Sequence, residues 1–174
     1  MKLDMDPSSD TLDKLKTRFG ERAWSFSENV KSRNRRLVVP AEQLAAYLEF
    51  LKVECGFDQL VDVTCVDYLH YRNAKDRFGL AYCLANTITN ERLIVRCFLN
   101  EPDLTLPSAV PLWEGANWME REVYDMFGIV FEGHPDLRRI LLPDEFAGFP
   151  LRKDYPLRGR GERHNFERIT REKS

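Results

Sequence analysis

The sequence concentrates groups capable of acid–base chemistry in residues 117–128, NWMEREVYDMFG. Glu120 and Glu122 flank the guanidinium group of Arg121, and Asp125 follows in the same stretch. Two carboxylates about 5–10 Å apart could act together on a scissile glycosidic bond. A single buried glutamate with a raised pKa could act alone as a general base. Which of these is possible depends on the helix that carries the side chains.

The apolar spacing predicts an amphipathic helix over residues 112–127 that ends at Gly128. Glu120 falls in the middle of the apolar face and Glu122 on the opposite face, so the two carboxylates cannot form a close pair. We expect Glu120 to be semi-buried and paired with an arginine or with backbone amides, because an unpaired buried carboxylate is costly. A structural role for Glu120 is therefore favoured over catalysis.

The solvent-directed face of this predicted helix carries Trp118, Arg121, Glu122 and Asp125. Arg121 and Asp125 are four residues apart and are predicted to form an ion pair at the surface. Trp118 is either a lone exposed aromatic residue or an anchor of a protein–protein contact, and the sequence supports both interpretations equally.

The segments before this helix predict an α+β body. One short helix ends at Gly20, and a second begins near Pro40 and ends at Gly56. Strand-like runs then follow one another without intervening helices, which favours a mostly antiparallel sheet of about four strands packed with helices. These runs are residues 37–39, 57–68, 78–88 and 92–99.

The chain is predicted to divide into a body, residues 1–128, and an extended C-terminal arm, residues 129–174. In the arm, apolar residues alternate with proline, glycine and basic residues, which excludes a long helix before about residue 162. The apolar content is too high for a free disordered tail. Such an arm could lie across another protein or back over its own body. We favour the partner protein, because an arm without one would leave a large apolar surface in water.

Composition narrows the classes of function. The net charge of −2 disfavours nucleic acid as a partner, although the basic segment 151–163 keeps RNA binding as an unfavoured alternative. The four cysteines form no CxxC pair and are predicted to be buried thiols, not zinc or iron–sulfur ligands. No apolar stretch approaches the roughly 20 residues of a membrane-spanning helix. No catalytic, cofactor-binding or metal-ligating residue is predicted.

The segment EREVYDMFGIVFEGHPDLRRIL (120–141), followed by GFPLRKDYPL (148–157), resembles a signature of one protein family. That family is the C subunit, or 30-kilodalton subunit, of NADH:quinone oxidoreductase, respiratory complex I. The signature positions are filled in order by Glu120, Arg121, Glu122, Asp125, Met126, Phe127, His134, Arg138, Ile140 and Leu141.

The resemblance implies a cofactor-free structural subunit that supports electron transfer from NADH to quinone in a proton-translocating complex. FMN and the iron–sulfur clusters would lie on other chains. The protein would be peripheral, on the cytoplasmic side of a bacterial inner membrane. It would dock against the D subunit of the same complex, with the iron–sulfur B and I subunits as further neighbours. The candidate signature and interface residues are Trp118, Glu120, Arg121, Glu122, Asp125, His134, Arg138, Arg139, Arg152, Lys153, Asp154 and Tyr155.

Two alternatives stay open. One is the equivalent subunit of a related membrane-bound hydrogenase, or of a dehydrogenase that uses another electron donor, because the signature separates these poorly. The other is a stand-alone acid–base enzyme in which Glu120 acts as the base with His134 nearby. His134 precedes Pro135, which favours an extended and accessible conformation.

Overall fold

The computed structural model describes residues 7–20, 25–29 and 34–161. Helices and strands alternate irregularly along the chain, as expected for an α+β protein. In chain order the elements are α1 (Pro7–Phe19), β1 (Ser25–Asn29), β2 (Asn34–Val38), a 3₁₀ turn (Ala41–Gln43), α2 (Leu44–Val53), β3 (Gln59–Asp67), β4 (Phe78–Ala85), β5 (Arg92–Leu99), β6 (Thr105–Pro107), α3 (Ala116–Phe127) and β7 (Val130–Glu132).

The main sheet has five strands in the order β1-β2-β5-β4-β3. Its β1–β2, β5–β4 and β4–β3 pairs are antiparallel, but β2 and β5 are parallel. After β2 the chain passes through α2 to β3 at the opposite edge of the sheet. It then returns through β4 to β5, which pairs with β2 in parallel. The α+β prediction is confirmed, whereas the prediction of a mostly antiparallel four-stranded sheet is only partly right. The polar sequence of β1, SFSEN, carries no strand signal.

A second, two-stranded parallel sheet pairs β6 with β7. Strand β7 lies within the predicted arm. The side chain of Phe131 in this strand and that of Ile129 just before it are both buried. The first residues of the arm therefore contribute to the core of the body. Residues 133–161 form no helix or strand, which agrees with the prediction that no long helix occurs before about residue 162. The assignment of the arm to a partner protein stays a prediction.

One face of the main sheet packs against the helices. Inward side chains alternate along β4 and β5 with half-buried ones on the other face, which is the period expected of strands. Tyr47, Leu48 and Leu51 of α2 are buried in the core with them. Phe19 extends this layer, since its ring stacks on Tyr47 with the centroids 3.8 Å apart. The opposite face of the sheet is called the outer face below.

The cysteines are free thiols. Cys65 and Cys97 are buried, whereas Cys55 and Cys83 are half-buried, so the prediction of buried thiols is confirmed for two of the four. Burial raises the pKa of Cys65 and of Cys97 to about 12. Among the described residues, no helix is long and apolar enough to cross a membrane.

Two predicted helix ends are confirmed by backbone geometry. Gly20 and Gly128 follow α1 and α3 in the left-handed region, with φ of 71° and 75°. At Gly128 the ring of Phe149 approaches so closely that an added Cβ would lie 2.6 Å from it, whereas nothing lies within 4 Å of a Cβ at Gly20. The C-terminal arm therefore packs directly on the end of α3.

We expect Gly128→Ala to lower the free energy of unfolding by about 2–4 kcal/mol, because it combines left-handed strain with displacement of Phe149. Gly20→Ala is the matched control and should cost only the strain, about 1 kcal/mol. Urea unfolding of both variants measures the difference. Equal losses would show that Phe149 does not depend on the open space at Gly128.

Candidate functional site

Helix α3 buries Glu120 completely, with 0% of the residue exposed. Its carboxylate accepts a hydrogen bond from the Ala109 amide at 2.6 Å and another from the Ser108 hydroxyl at 2.7 Å. The predicted pairing with backbone amides is confirmed, and the burial is deeper than predicted. Burial raises the pKa of Glu120, and the bonds from Ser108 and Ala109 offset this only in part. The carboxylate holds the loop that precedes α3.

His134 does not form an acid–base pair with Glu120. Its Nε2 atom is hydrogen-bonded to the Asn117 carbonyl at 3.1 Å, and its Nδ1 atom accepts the Asp136 amide at 3.0 Å. Both ring nitrogens are thus engaged by the backbone. Because Glu120 is also sealed from solvent, the arrangement favours a structural role for both residues over general-base catalysis.

Asp125 was predicted to face solvent, and this prediction was wrong: the residue is 0% exposed. Its carboxylate accepts hydrogen bonds from the amides of Ile140, Leu141 and Leu142 at 3.1, 2.7 and 2.9 Å. It also accepts one from the Arg139 guanidinium at 2.6 Å. The C-terminal arm covers this face of α3, so a position that helical geometry alone directs outward lies inside the protein.

The predicted ion pair between Arg121 and Asp125 was wrong for the same reason. Arg121 instead donates to the carbonyls of Arg138 and Arg139 at 3.1 and 3.2 Å. Arg139 takes its place beside Asp125 and donates further to the carbonyls of Phe146 and Gly148 at 2.9 and 3.1 Å. Two arginines therefore satisfy carbonyls of the arm that no helix or strand satisfies.

A second buried carboxylate, Asp67 at the end of β3, binds the arm farther along. It accepts the amides of Lys153 and Leu69 at 2.8 and 2.9 Å and lies 3.4 Å from the Arg77 guanidinium. Arg77 also donates to Asp154 at 2.7 Å. Sequence analysis missed Asp67 and Arg77. The available signal was an aspartate in the inward-facing row of β3, whose other members, Leu60, Val63 and Cys65, are apolar.

Arg152 connects the arm to the end of α3. Its Nε atom donates to the Phe127 carbonyl at 2.5 Å, and its Nη1 atom donates to Glu101 at 3.0 Å. The guanidinium lies 4.6 Å from the centre of the Phe149 ring and 5.2 Å from that of Phe78. These contacts join the body and residues 149–152 through both charge and cation–π interactions.

The remaining predicted residues lie at or near the surface. Trp118 is 62% exposed, and Glu122 lies near it on α3 and is also exposed to solvent in part. Arg138 is exposed and pairs with Asp136 at 2.9 Å. Tyr155 is half-buried, with its ring centroid 5.9 Å from that of Phe146. Their assignment to a partner interface stays a prediction.

The two aspartates share an electrostatic character that Glu120 lacks. Burial acts to raise the pKa of Asp125, but the bonds from Leu142, Arg139, Leu141 and Ile140 outweigh it and hold the pKa below its usual value of 3.8. Burial of Asp67 is likewise outweighed by its amide and arginine partners, so its pKa is also lowered. Both are therefore buried anions, and each binds backbone amides of the arm.

Fold and site together define an α+β domain whose C-terminal arm is fastened by buried carboxylates. Among the described residues, no group of three or more His, Cys, Asp or Glu side chains could hold a metal ion. Residues 37–161 match the family described as the 30 Kd subunit of respiratory-chain NADH dehydrogenase. The chain belongs to this family, as the resemblance predicted.

Curated relatives agree with this assignment. The C subunit of NADH-quinone oxidoreductase from Trichlorobacter lovleyi is 50% identical over 125 residues, which are 72% of this chain and 76% of that protein. The corresponding C subunit from Geotalea uraniireducens is 40% identical over 158 residues, which are 90% of this chain and 92% of that protein.

Two solved structures share the fold. A trypsin-resistant fragment of Nqo5 superposes with a TM-score of 0.66 at 34% identity, over 75% of this chain and 99% of that one. A chain of the archaeal membrane-bound sulfane sulfur reductase superposes with a TM-score of 0.74 at 21% identity, over 95% and 96%. At that identity the second likeness concerns the fold alone.

We expect Asp125→Asn to lower the free energy of unfolding by about 3–5 kcal/mol, because its amide group would face donors that need a buried anion. Glu122→Gln, the same change at a more accessible position of α3, should shift it by less than about 0.5 kcal/mol. Urea unfolding measures both. Hydrogen exchange at Ile140, Leu141 and Leu142 should accelerate in the first variant only, and unchanged protection there would contradict this account.

Stability should also fall as the pH drops below about 4. There the unfolded chain binds protons at Asp67 and Asp125 before the folded chain does, since both folded pKa values are lowered. Protonation therefore favours unfolding. Measured from pH 5 to about pH 2, unfolding free energy should depend less steeply on pH in Asp125→Asn than in the unsubstituted protein. Identical slopes would show that Asp125 titrates normally.

Proposed function

We propose that this chain is a non-catalytic, cofactor-free structural subunit in the peripheral, hydrophilic part of a proton-translocating NADH:quinone oxidoreductase. In this proposal it docks against the D subunit and thereby supports electron transfer from NADH to quinone. The observation that carries the proposal is the C-terminal arm, whose backbone is fastened to the body while several of its apolar side chains face outward.

The backbone of the arm is bonded to Asp67, Asp125 and Arg121 of the body, whereas several apolar side chains of the arm stay exposed. Leu141 is 62% exposed, Leu151 48% and Leu157 fully exposed, and Trp118 on the adjoining helix is 62% exposed. Exposed aliphatic and aromatic side chains on a fixed backbone suit a stable protein contact, because little chain entropy is lost on binding. We call the surface formed by Trp118, Leu141, Leu151 and Leu157 the arm surface.

The chemistry of the cysteines supports the proposal that electron carriers lie on other chains. Thiolates, not thiols, bind iron and zinc. Cys65 and Cys97, with their pKa near 12, are poor sources of thiolate. Cys65, Cys83 and Cys97 lie on three different strands, and Cys55 follows α2. FMN and the iron–sulfur clusters are accordingly proposed for neighbouring subunits. The B and I subunits are the further neighbours proposed, on the cytoplasmic side of a bacterial inner membrane.

A second candidate is the equivalent subunit of a related membrane-bound complex with another electron donor. The shared fold with a chain of the sulfane sulfur reductase complex favours keeping it. A stand-alone enzyme that uses Glu120 receives no such support, because that carboxylate is buried and occupied by Ser108 and Ala109.

The arm surface can be tested in the assembled complex. We expect Trp118→Glu combined with Leu141→Glu to reduce co-purification of the D subunit by about tenfold or more, since charges at an apolar contact are strongly unfavourable. Both side chains point outward, so the protein should fold normally. Quantitative mass spectrometry of complexes purified from membranes measures the yield.

The matched control is Val53→Glu, which changes an aliphatic residue that is 67% exposed on α2, away from the arm. It should leave the amount of the D subunit unchanged. Full recovery of the D subunit with the double variant would contradict the proposed docking. Activity should be lost only in proportion to assembly, because no catalytic group is removed.

A further inference from the structure

A concave site of about 300 Å³ lies between the β3–β4 loop and the outer face of the sheet, and none of its lining residues belongs to the described part of the C-terminal arm. Aromatic rings form its walls. The rings of Tyr68 and Tyr71 meet edge to face with centroids 5.1 Å apart, and Phe98 lies 6.3 Å from Tyr68. A Cβ at Gly79 would lie 2.7 Å from the Tyr68 ring and 2.9 Å from Phe98, so the glycine lets both rings lie on the sheet.

Three cations, Arg72, Lys75 and Arg96, line this site together with one carboxylate, Asp76. Asp76 is engaged elsewhere, since it accepts a hydrogen bond from the Asn100 amide group at 2.7 Å. Within the ranges that the structure describes, none of the three cations forms an ion pair. The site therefore has a local excess of positive charge beside aromatic rings, which favours an anionic group.

Arg96 is held in place before any partner arrives. It donates to the Tyr68 hydroxyl at 2.5 Å, and its guanidinium lies 4.9 Å from the centre of the Phe98 ring. Because these contacts fix the planar group and, among the residues that the structure describes, occupy one of its N–H donors, a carboxylate could bind it with little loss of side-chain entropy.

The sheet beside this site is suited to the close approach of a polypeptide. Ala81 is the register partner of Arg96. Two residues further along these strands, on the same face of the sheet, Cys83 is paired with Ile94. All three side chains are half-buried on the outer face, and Val66 on β3 is 37% exposed. A small-residue, apolar strip next to a cationic site fits a protein segment that carries an acidic side chain, not a free anion.

Nucleic acid fits this surface poorly. The phosphate backbone needs an extended row of cations, whereas the cations here are confined to one end of an apolar strip. The described part of the arm is fastened to Asp67, Arg77 and α3, and none of its residues lines the cationic site. The arm surface and this site can therefore be occupied at the same time.

We propose that the cationic site and the adjoining strip, together called the outer docking surface, bind an acidic segment of a second neighbouring polypeptide. An aspartate or glutamate of that segment enters between Arg72, Lys75 and Arg96, and its backbone lies over Ala81 and Cys83. This inference rests on the proposed function only in that the neighbour belongs to the same assembly. The chain would then join two neighbours, one at each surface.

A photo-crosslinker placed by Tyr71→p-benzoylphenylalanine, in the full chain within the membrane-purified complex, tests the occupant. We expect a cross-link to a polypeptide segment with an aspartate or glutamate, identified by mass spectrometry of the joined peptides. Cross-links only to lipid or RNA, to a segment without an acidic residue, or to nothing would each overturn the proposal.

Charge reversal tests the recognition. Arg72→Glu and Lys75→Glu change exposed loop side chains, and each should lower the cross-linking yield by about tenfold. The control Arg92→Glu makes the same charge change on β5, outside the cationic site, and should leave the yield unchanged. Replacing the identified acidic residue by lysine should restore the yield with Lys75→Glu. Equal yields from all three variants, or no restoration, would contradict the proposal.

The two proposals fail separately. The D subunit is quantified in the same preparations, and Lys75→Glu should leave its amount unchanged, because the proposed segment belongs to a different neighbour. A cross-link from Tyr71 to the D subunit would overturn the proposal of a second neighbour. If Lys75→Glu removes the cross-linked partner while the D subunit is retained, the result supports the outer docking surface and leaves the arm-surface proposal unaffected. Suppose instead that the variant with Trp118→Glu and Leu141→Glu retains the D subunit and that cross-linking at Tyr71 is normal. That result would overturn the arm-surface proposal alone.

Discussion

The arrangement of the C-terminal arm depends on one buried group, the carboxylate of Asp125. Residues that form no helix or strand still carry amide donors, and these need acceptors when water is excluded. A single anion satisfies three consecutive amides, at Ile140, Leu141 and Leu142, and adds the charge of Arg139. Such charge-assisted bonds are stronger than neutral ones. An irregular, proline-rich segment thereby acquires a defined path over α3.

Two other buried carboxyl groups also accept hydrogen bonds from backbone amides of irregular segments. Glu120 holds the loop before α3, and Asp67 holds the arm at Lys153. The three carboxylates differ in electrostatics: Glu120 has few donors and a raised pKa, whereas Asp67 and Asp125 have enough donors to lower theirs. In each case a buried carboxyl group accepts hydrogen bonds that regular secondary structure would otherwise have accepted. This explains why acidic residues cluster in a segment whose geometry favours a structural role over acid–base chemistry.

Because these charged groups are paired within the chain, the groups that remain exposed determine how neighbouring subunits can bind. The arm surface consists of apolar side chains, whereas Arg139 and Arg152 of the arm are bonded to Asp125, Phe127 and Glu101 of the body. The outer docking surface is the reverse case, since its cations keep no carboxylate partner among the described residues. In the proposed assembly the two surfaces face different neighbours. The subunit would then contribute geometry, holding chains that carry electrons at fixed separations, without carrying electrons itself.

The sequence by itself determined the elements with strong local signals. Helix α3 and its end at Gly128, the strands β3 to β5 and the inward position of Glu120 all follow from periodicity and from glycine geometry, which are local properties. Only tertiary structure decided the position of Asp125, because helical geometry cannot show that a segment 15 residues later covers the outer face. The parallel pairing of β2 with β5 and the role of Asp67 depend equally on distant contacts. The local sequence pattern predicts the direction in which a side chain points from its own helix or strand. Tertiary packing determines whether that side chain is then exposed to water or buried by another segment.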